Sequence, residues 1–336
     1  MDPFTHALTS VALDRAGLRR VSRSAMAILV VSGVGADLDL LTYFSGAGAY
    51  FHYHYALLHS ILSSAILVFL IAAAFWKFDR RAKLPPLRFS RVFLLCLIGV
   101  GIHLLLDFLG AEGVQLLWPF RMRWFSADWL PEIDPWIIGI LLVGCLLPAL
   151  FRLITEEIGG RKKTQTVSAG ALVALVLMAI YIGGRAMLHH TAMQTLMAHD
   201  YHGAAPLVAG AFPDSTSPLL WRGVVATTNT IEVVSVPLGP AGTFDAMSSL
   251  THYKPPSSPV LNAAHRAPLA MQFLHYARFP LADLQTIPGG AIITLRDLRY
   301  EQDSPSPANM RAVIQLDNAL RLQDEHMEFP SVSSPR

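Results

Sequence analysis

Two stretches of this chain, residues 56–75 and 164–184, contain no Lys, Arg, Asp or Glu. Each is as long as the roughly 20 apolar residues that a helix needs to cross a bilayer. A third run, 92–106, reaches that length once His103, Asp107 and their neighbours are counted, 135–151 stands near the lower limit, and 25–36 is too short alone. Only 15% of the 336 residues are charged, against about 25% in soluble domains, so a fully soluble enzyme is excluded. A net charge of +2 with dispersed basic residues gives no footprint for nucleic acid. Cys96 and Cys145 each sit inside an apolar run, which offers neither a disulfide framework nor a cysteine zinc site. Any metal chemistry must come from the 13 histidines and the acids.

Before the first long run, Phe4, Leu8, Val11, Ala12 and Leu18 recur at helical spacing, with Asp2 and Pro3 as cap and first-turn proline. Residues 3–17 and 24–38 are therefore predicted to form a helical hairpin turning at 19–23. A cleaved secretory signal is disfavoured, because its basic leader would exceed 20 residues and itself be helical. Lys and Arg cluster in three links, at Arg15–Arg23, Lys77–Arg91 and Arg152–Lys163. Short cytoplasmic loops are enriched in these residues, and about six helical passes, the first two short, place all three links on the cytoplasmic side. Beyond residue 190, short runs such as 219–225, 231–236, 290–295 and 310–316 are bounded by Pro, Gly, Asn and Asp and read as strands. The expected fold is an α-helical integral membrane domain over 1–189, a small β-rich extracytoplasmic domain over 190–322, and a flexible tail over 323–336.

Ionisable groups at membrane depth are costly and point to function. In this topology His6 starts the first helix, Asp37 and Asp39 end the second, His54 and His59 begin the third, and His103 and Asp107 close the fourth. All seven fall at the same extracytoplasmic end. His103 and Asp107 share one helix face at i, i+4. His54 and His59 would diverge by about 140° on one helix, so joint ligation requires His54 to lie in the loop. Mixed imidazole and carboxylate donors suit zinc, with manganese or iron as alternatives, better than calcium or magnesium. Each residue alone has a structural reading as a cap or a boundary. His52 is assigned to a loop, His189 and His190 to the membrane surface, and His202, His252, His265 and His275 to structural roles.

The segments Met-Asp-Pro-Phe-Thr-His-Ala-Leu-Thr at the start, Ala-Asp-Leu-Asp at 36–39, His-Tyr-Ala-Leu-Leu-His-Ser at 54–60, His-Leu-Leu-Leu-Asp at 103–107 and Leu-Leu-Trp-Pro-Phe at 116–120 resemble the YdjM-like family of bacterial inner-membrane, metal-dependent hydrolases. The set is also similar, more distantly, to the zinc-dependent phospholipase C and nuclease fold, which uses a His-x-x-x-Asp pair. The resemblance implies a metal-dependent hydrolase in the inner membrane, with a divalent ion on His6, Asp37, Asp39, His54, His59, His103 and Asp107. Asp37 is the favoured ligand, and Asp39 the favoured general base or second ligand. Where the family has His-Arg followed by Thr-His-Ser, this chain has Tyr55 and Leu58. Tyr55 cannot supply an arginine's charge to a phosphoester or lipid-like substrate, which leaves Trp118, Arg121 and Arg123 as candidate substrate contacts. A metal-ion transporter or sensor, or a non-catalytic membrane protein with a partner-binding β domain, are the competing classes.

Overall fold

The computed structural model describes residues 1–53, 57–79, 87–157, 167–240, 242–300 and 310–328. The expected hairpin is present as α1 (Pro3–Ala16) and α2 (Ala25–Val34), with Asp2 capping α1 through Thr5 N at 2.9 Å. Gly17, at φ +145, ends α1, a conformation that glycine takes without a Cβ penalty. From Gly35 the chain continues as a 3-10 segment to Ser45, followed by α3 (Ala47–Tyr53), so His52 lies in a short helix rather than a loop. The long helices are α4 (Ile61–Asp79), α5 (Phe89–Leu109), α6 (Pro135–Glu157) and α7 (Ala169–Met197). Among the described residues, four helical segments are long and apolar enough to cross a membrane: Ala25–Ser45, Ile61–Phe78, Phe89–Leu109 and Ala169–Met197. Of the six expected passes, α1 has 14 residues and the apolar part of α6 is Pro135–Pro148, both below that length.

The chain divides into two compact units, Met1–Leu40 with His54–Met187 and Ser215–Pro218, and Leu41–Tyr53 with Leu188–Asp214 and Leu219–Arg336. In the first unit, Ile28 and Leu29 of α2, Val68 and Ala72 of α4, and Leu95, Cys96 and Val100 of α5 form one apolar core. Helices without a hydrophobic drive between them associate by close packing at small residues. A Cβ on Gly33 of α2 would lie 2.2 Å from Ser10 Oγ of α1, and one on Gly99 of α5 would lie 2.1 Å from Ser32 Oγ and 3.1 Å from the Leu29 carbonyl oxygen of α2. These contacts fix the three helices that carry most of the candidate ligands. Leu70, Leu97, Val173 and Ile180 stay exposed on α4, α5 and α7, as lipid-facing positions would.

The apolar stripe of α1 packs inward through Ala12, Leu8 and Val11, but a polar stripe is buried beside it. Thr5, His6, Thr9, Ser10, Ala12 and Asp14 are buried, while Phe4 is 53% exposed. Thr9 and Ser10 hydroxyls donate to the carbonyls four residues earlier, at 2.8 and 2.9 Å, which satisfies them locally. In water the polar stripe would face solvent; against lipid it needs protein partners.

The second unit holds two four-stranded antiparallel sheets. The first runs β1 (Val208–Pro213), β2 (Leu220–Ala226), β3 (Thr230–Pro237) and β4 (Leu250–Tyr253), and packs Trp221, Val225 and Val236 against Ala192 and Leu196 of α7. The second runs β5 (Pro280–Ile287), β6 (Gly290–Asp297), β7 (Arg311–Asp317) and β8 (Leu322–Glu328). Its inner face is covered by α8 (Pro259–Ala264) and α9 (Pro268–Tyr276), through Leu261 and Phe273 against Ile293, Leu295 and Ile314. The expected flexible tail is corrected over 323–328, which pair with β7 as an edge strand. The expectation rests on the polar, Ser- and Pro-containing composition of 323–336, yet the charges of Asp324, Glu325 and Glu328 suit an edge strand, where they discourage further pairing. Hydrogen bonds to Asp324 and Glu328 raise the His326 pKa above its usual value. Residues 329–336 lie outside the described residues.

Candidate metal centre

Asp107, in the last turn of α5, is the hub of the site. Its Oδ1 lies 3.0 Å from His6 Nε2 and 2.6 Å from the Met1 amine, and its Oδ2 lies 3.0 Å from His103 Nε2 and 3.3 Å from His59 Nε2. His103 Nε2 and His59 Nε2 are themselves 3.0 Å apart. The rings of His6 and His103 stand 4.0 Å apart between centroids, and those of His59 and His103 5.0 Å. Each side chain arrives from a different place: His6 from the first turn of α1, His59 from the turn before α4, and His103 and Asp107 from one face of α5. The 3-10 segment after α2 delivers Asp37 and Asp39. Asp39 Oδ2 pairs with His59 Nδ1 at 2.9 Å, and Asp37 Oδ2 stands 3.9 Å from His103 Nδ1. All six side chains are buried, Asp37 being the most open at 7%.

The outer ring nitrogens decide what the inner ones can do. His103 Nδ1 lies 2.8 Å from the Gly33 carbonyl oxygen, a partner that can only accept, so this nitrogen carries the proton. His59 Nδ1 likewise faces a carboxylate, Asp39. In their neutral forms both imidazoles therefore present a lone pair at Nε2, the arrangement in which an outer acceptor fixes the tautomer of a metal-ligating histidine. Two lone pairs and the Asp107 Oδ2 then face one another at 3.0, 3.0 and 3.3 Å. Three acceptors at that spacing repel unless a cation lies among them. Donors about 2.1 Å from a tetrahedral ion are about 3.4 Å from one another, close to the triangle observed.

Charge leads to the same conclusion. Three carboxylates are buried in this cluster, with the Met1 amine against Asp107 as one counter-charge, and imidazoles could neutralise the remaining two only by taking the protons that end their ability to ligate. A divalent cation removes the conflict. Two further signs fit the donor set: His6 Nδ1 and Asp37 Oδ2 are buried without a hydrogen-bond partner among the described residues. Two overlapping groups, His6 with His103 and Asp107, and Asp37 with His59 and His103, each bring one donor atom per residue within 4.8 Å of the others.

The structure thus brings His6, Asp37, His59, His103 and Asp107 together and sets Asp39 behind His59. His54 and Tyr55 lie outside the described residues. Trp118, Arg121 and Arg123 fall on the loop between α5 and α6, where Leu116 accepts a hydrogen bond from Ile61 N at 3.0 Å beside the start of α4. Arg121 and Arg123 are exposed, and the Arg123 guanidinium sits 5.3 Å from the centroid of Phe125. The sequence reading missed Gly33, whose carbonyl orients His103. The Gly-Val-Gly-Ala-Asp run marks a close helix approach, but an orienting carbonyl has no side-chain signature.

Asp39→Asn keeps an acceptor for His59 but removes its charge. Metal affinity is expected to fall about 10–100-fold, with the melting profile of the metal-free protein little changed, as titration with zinc in detergent would measure.

The match to a relative is partial: the uncharacterized protein YfhP of Bacillus subtilis (strain 168) is 27% identical over 145 residues, covering 41% of this chain and 43% of that protein. The chain therefore spans less than half the length of this relative. No solved structure matches. The model of the YdjM inner membrane protein family matches residues 1–192, which contain every element of the His/Asp cluster and all four candidate spans up to the last turns of α7. With more than half of its length accounted for in this way, the chain belongs to the YdjM inner membrane protein family.

Proposed function

We propose that this protein is a membrane-bound, metal-dependent hydrolase whose site faces the extracytoplasmic side and acts on a phosphoester or lipid-like substrate. The observation that carries the reading is the triangle of acceptors formed by His59 Nε2, His103 Nε2 and Asp107 Oδ2. His59, His103 and Asp107 would hold the ion, with His6 and Asp37 completing or bridging its surroundings. A bound zinc-type ion would supply positive charge for a scissile oxygen and acidify water in the site. Asp39 holds the His59 ring in register. Asp37 is the more open carboxylate and has a buried oxygen to spare, so it takes the proton from the attacking water. In this reading the general base is Asp37, where the sequence favoured Asp39, and Asp39 positions His59 instead of ligating.

Sidedness rests on the basic links. Arg19, Arg20, Arg23, Arg88 and Arg91 lie at the ends of α1, α2 and α5 opposite to His6, Asp37 and Asp107, and basic loops stay cytoplasmic. Six passes, including α1 and α6, agree with that arrangement. Transporters bind their ions near the bilayer midplane, whereas these ligands gather at helix ends, which favours the enzyme over the transporter reading. Protein purified in detergent is expected to carry about one divalent ion per chain and to hydrolyse members of a phosphodiester and phospholipid panel. Chelation should abolish turnover and zinc restore it. Absence of bound metal together with absence of any hydrolysis would sink the proposal.

A further inference from the structure

The second unit holds a carboxylate where its fold calls for an apolar side chain. Side chains alternate along a strand, so Glu232 of β3 points to the same face as Val234 and Val236, which pack with Trp221 and Val225 against α7. Glu232 is 1% exposed. Its Oε2 accepts hydrogen bonds from Ser249 Oγ at 2.9 Å and from Thr251 Oγ1 at 2.8 Å, Thr251 being its partner in the register of β3 with β4. Its Oε1 is buried with no hydrogen-bond partner among the described residues. No lysine or arginine among them lies within ion-pair distance of this carboxylate; the ionisable neighbour is His202, whose Nε2 stands 3.9 Å from Oε2. Buried charges are ordinarily paired or bound to a metal, and two hydroxyls on one oxygen supply no charge.

His202 is held there by a tight turn. His202 and Gly203 take φ +50 and +83, and Tyr201 and Ala204 exchange backbone hydrogen bonds of 2.9 Å across them. Glycine, asparagine and aspartate are the usual occupants of such positions, so the imidazole stands where the backbone alone would not select it. Its Nε2 lies 3.2 Å from Ser249 Oγ, and 41% of the side chain is exposed. His202 Nε2, Ser249 Oγ and Glu232 Oε2 therefore form a triangle with edges of 2.9, 3.2 and 3.9 Å. Donors about 2.1 Å from a tetrahedral ion stand about 3.4 Å apart, within the range of these edges. The buried carboxylate supplies the charge, and the exposed ring gives an entry path. A serine nucleophile is a poorer account: the acid of a catalytic triad holds the ring nitrogen remote from the serine, whereas Glu232 and Ser249 both meet Nε2.

We infer that Glu232 and His202, with the Ser249 hydroxyl between them, form a second cation site for a divalent ion of the zinc class. Imidazole nitrogen suits such ions better than calcium or magnesium. The site is built wholly from residues of the second unit, and it stands whether or not the His/Asp cluster is an enzyme. His202, read from the sequence as structural, is then a ligand. One carboxylate and one imidazole are fewer strong donors than the His/Asp cluster offers, so this site fills on titration rather than holding its ion through purification.

The full chain in detergent, freed of metal by a chelator, is titrated with zinc as the wild type, Glu232→Gln and His202→Asn. Glutamine keeps an acceptor for the two hydroxyls, and asparagine tolerates the left-handed turn, so both variants should melt close to the wild type without metal. The wild type is expected to bind one zinc more than either variant, or to bind that ion at least about tenfold more tightly, the loss that even an outer partner of a ligand incurs. His103→Ala should keep the Glu232-dependent ion, which separates this site from the cluster. Calcium at the same concentration should leave that zinc in place, and its displacement by calcium would overturn the ion class. Should Glu232→Gln fail to fold, His202→Asn, at an exposed position, decides the matter. Equal zinc stoichiometry and affinity in the wild type and a folded variant overturns the proposal, as does a Glu232→Gln chain whose only change is a lower melting temperature.

Discussion

Replacing His103 with alanine is expected to empty the His/Asp cluster of metal and to abolish hydrolysis. Structural zinc sites bind with about 10–16 kcal/mol shared over four ligands, so one ligand is worth about 3 kcal/mol, or about a hundredfold in affinity. His103 also links His59 and Asp107 and is oriented by the Gly33 carbonyl. Metal content after dialysis measures the loss directly. Thermal melting separates it from misfolding: zinc at a hundred times its dissociation constant should stabilise the wild type by about 2.7 kcal/mol, and the variant, bound about a hundredfold more weakly, by only about 0.4 kcal/mol. A variant that keeps its metal would remove His103 from the ligand set.

Gly99→Leu is expected to destabilise the helical unit strongly. A Cβ on Gly99 would meet Ser32 Oγ at 2.1 Å and the Leu29 carbonyl oxygen at 3.1 Å, and the carbonyl has little room to give within α2, so a longer side chain does not fit. Overpacking of this kind costs about 1–3 kcal/mol or more. Because α2 leads to Asp37 and Asp39 and carries the Gly33 carbonyl, parting α2 from α5 should release metal as well. Gly99→Ala is the milder case, since Ser32 Oγ could rotate away. Adding Ser32→Gly should recover part of the alanine variant's loss, a coupling that a double-mutant cycle of melting temperatures would expose.

The helices and their ligands were legible because a membrane imposes a long, simple pattern and makes each charge within it conspicuous. His6, Asp37, His59, His103 and Asp107 could be picked out by that contrast, and α5 placed two of them on one face by spacing alone. The burial of Thr5, Thr9, Ser10 and Asp14 on α1, beside its apolar stripe, was not legible, because the rule that polar residues face outward assumes water outside. Neither was the placement of Asp39 against His59 and of Asp37 beside His103, two residues apart on a 3-10 segment whose rotation has no sequence signature. In the extramembrane part, the strands with continuous apolar runs were readable, including β2, β3, β6 and β7. The edge strands β4, β5 and β8 bury one face or less, β8 carries four ionisable residues in seven, and β1 is built largely from Ala, Gly and Pro, so propensity gave them no signal.

The polar face of α1 also bears on how the molecule is built. Thr5, His6, Thr9, Ser10 and Asp14 have nothing to gain from lipid, and a 14-residue helix is too short to rest across a bilayer alone. The helix is thus a guest that depends on its hosts: α2 and α5 have to be in place before its polar face can settle, so His6 joins the cluster only once those helices have packed.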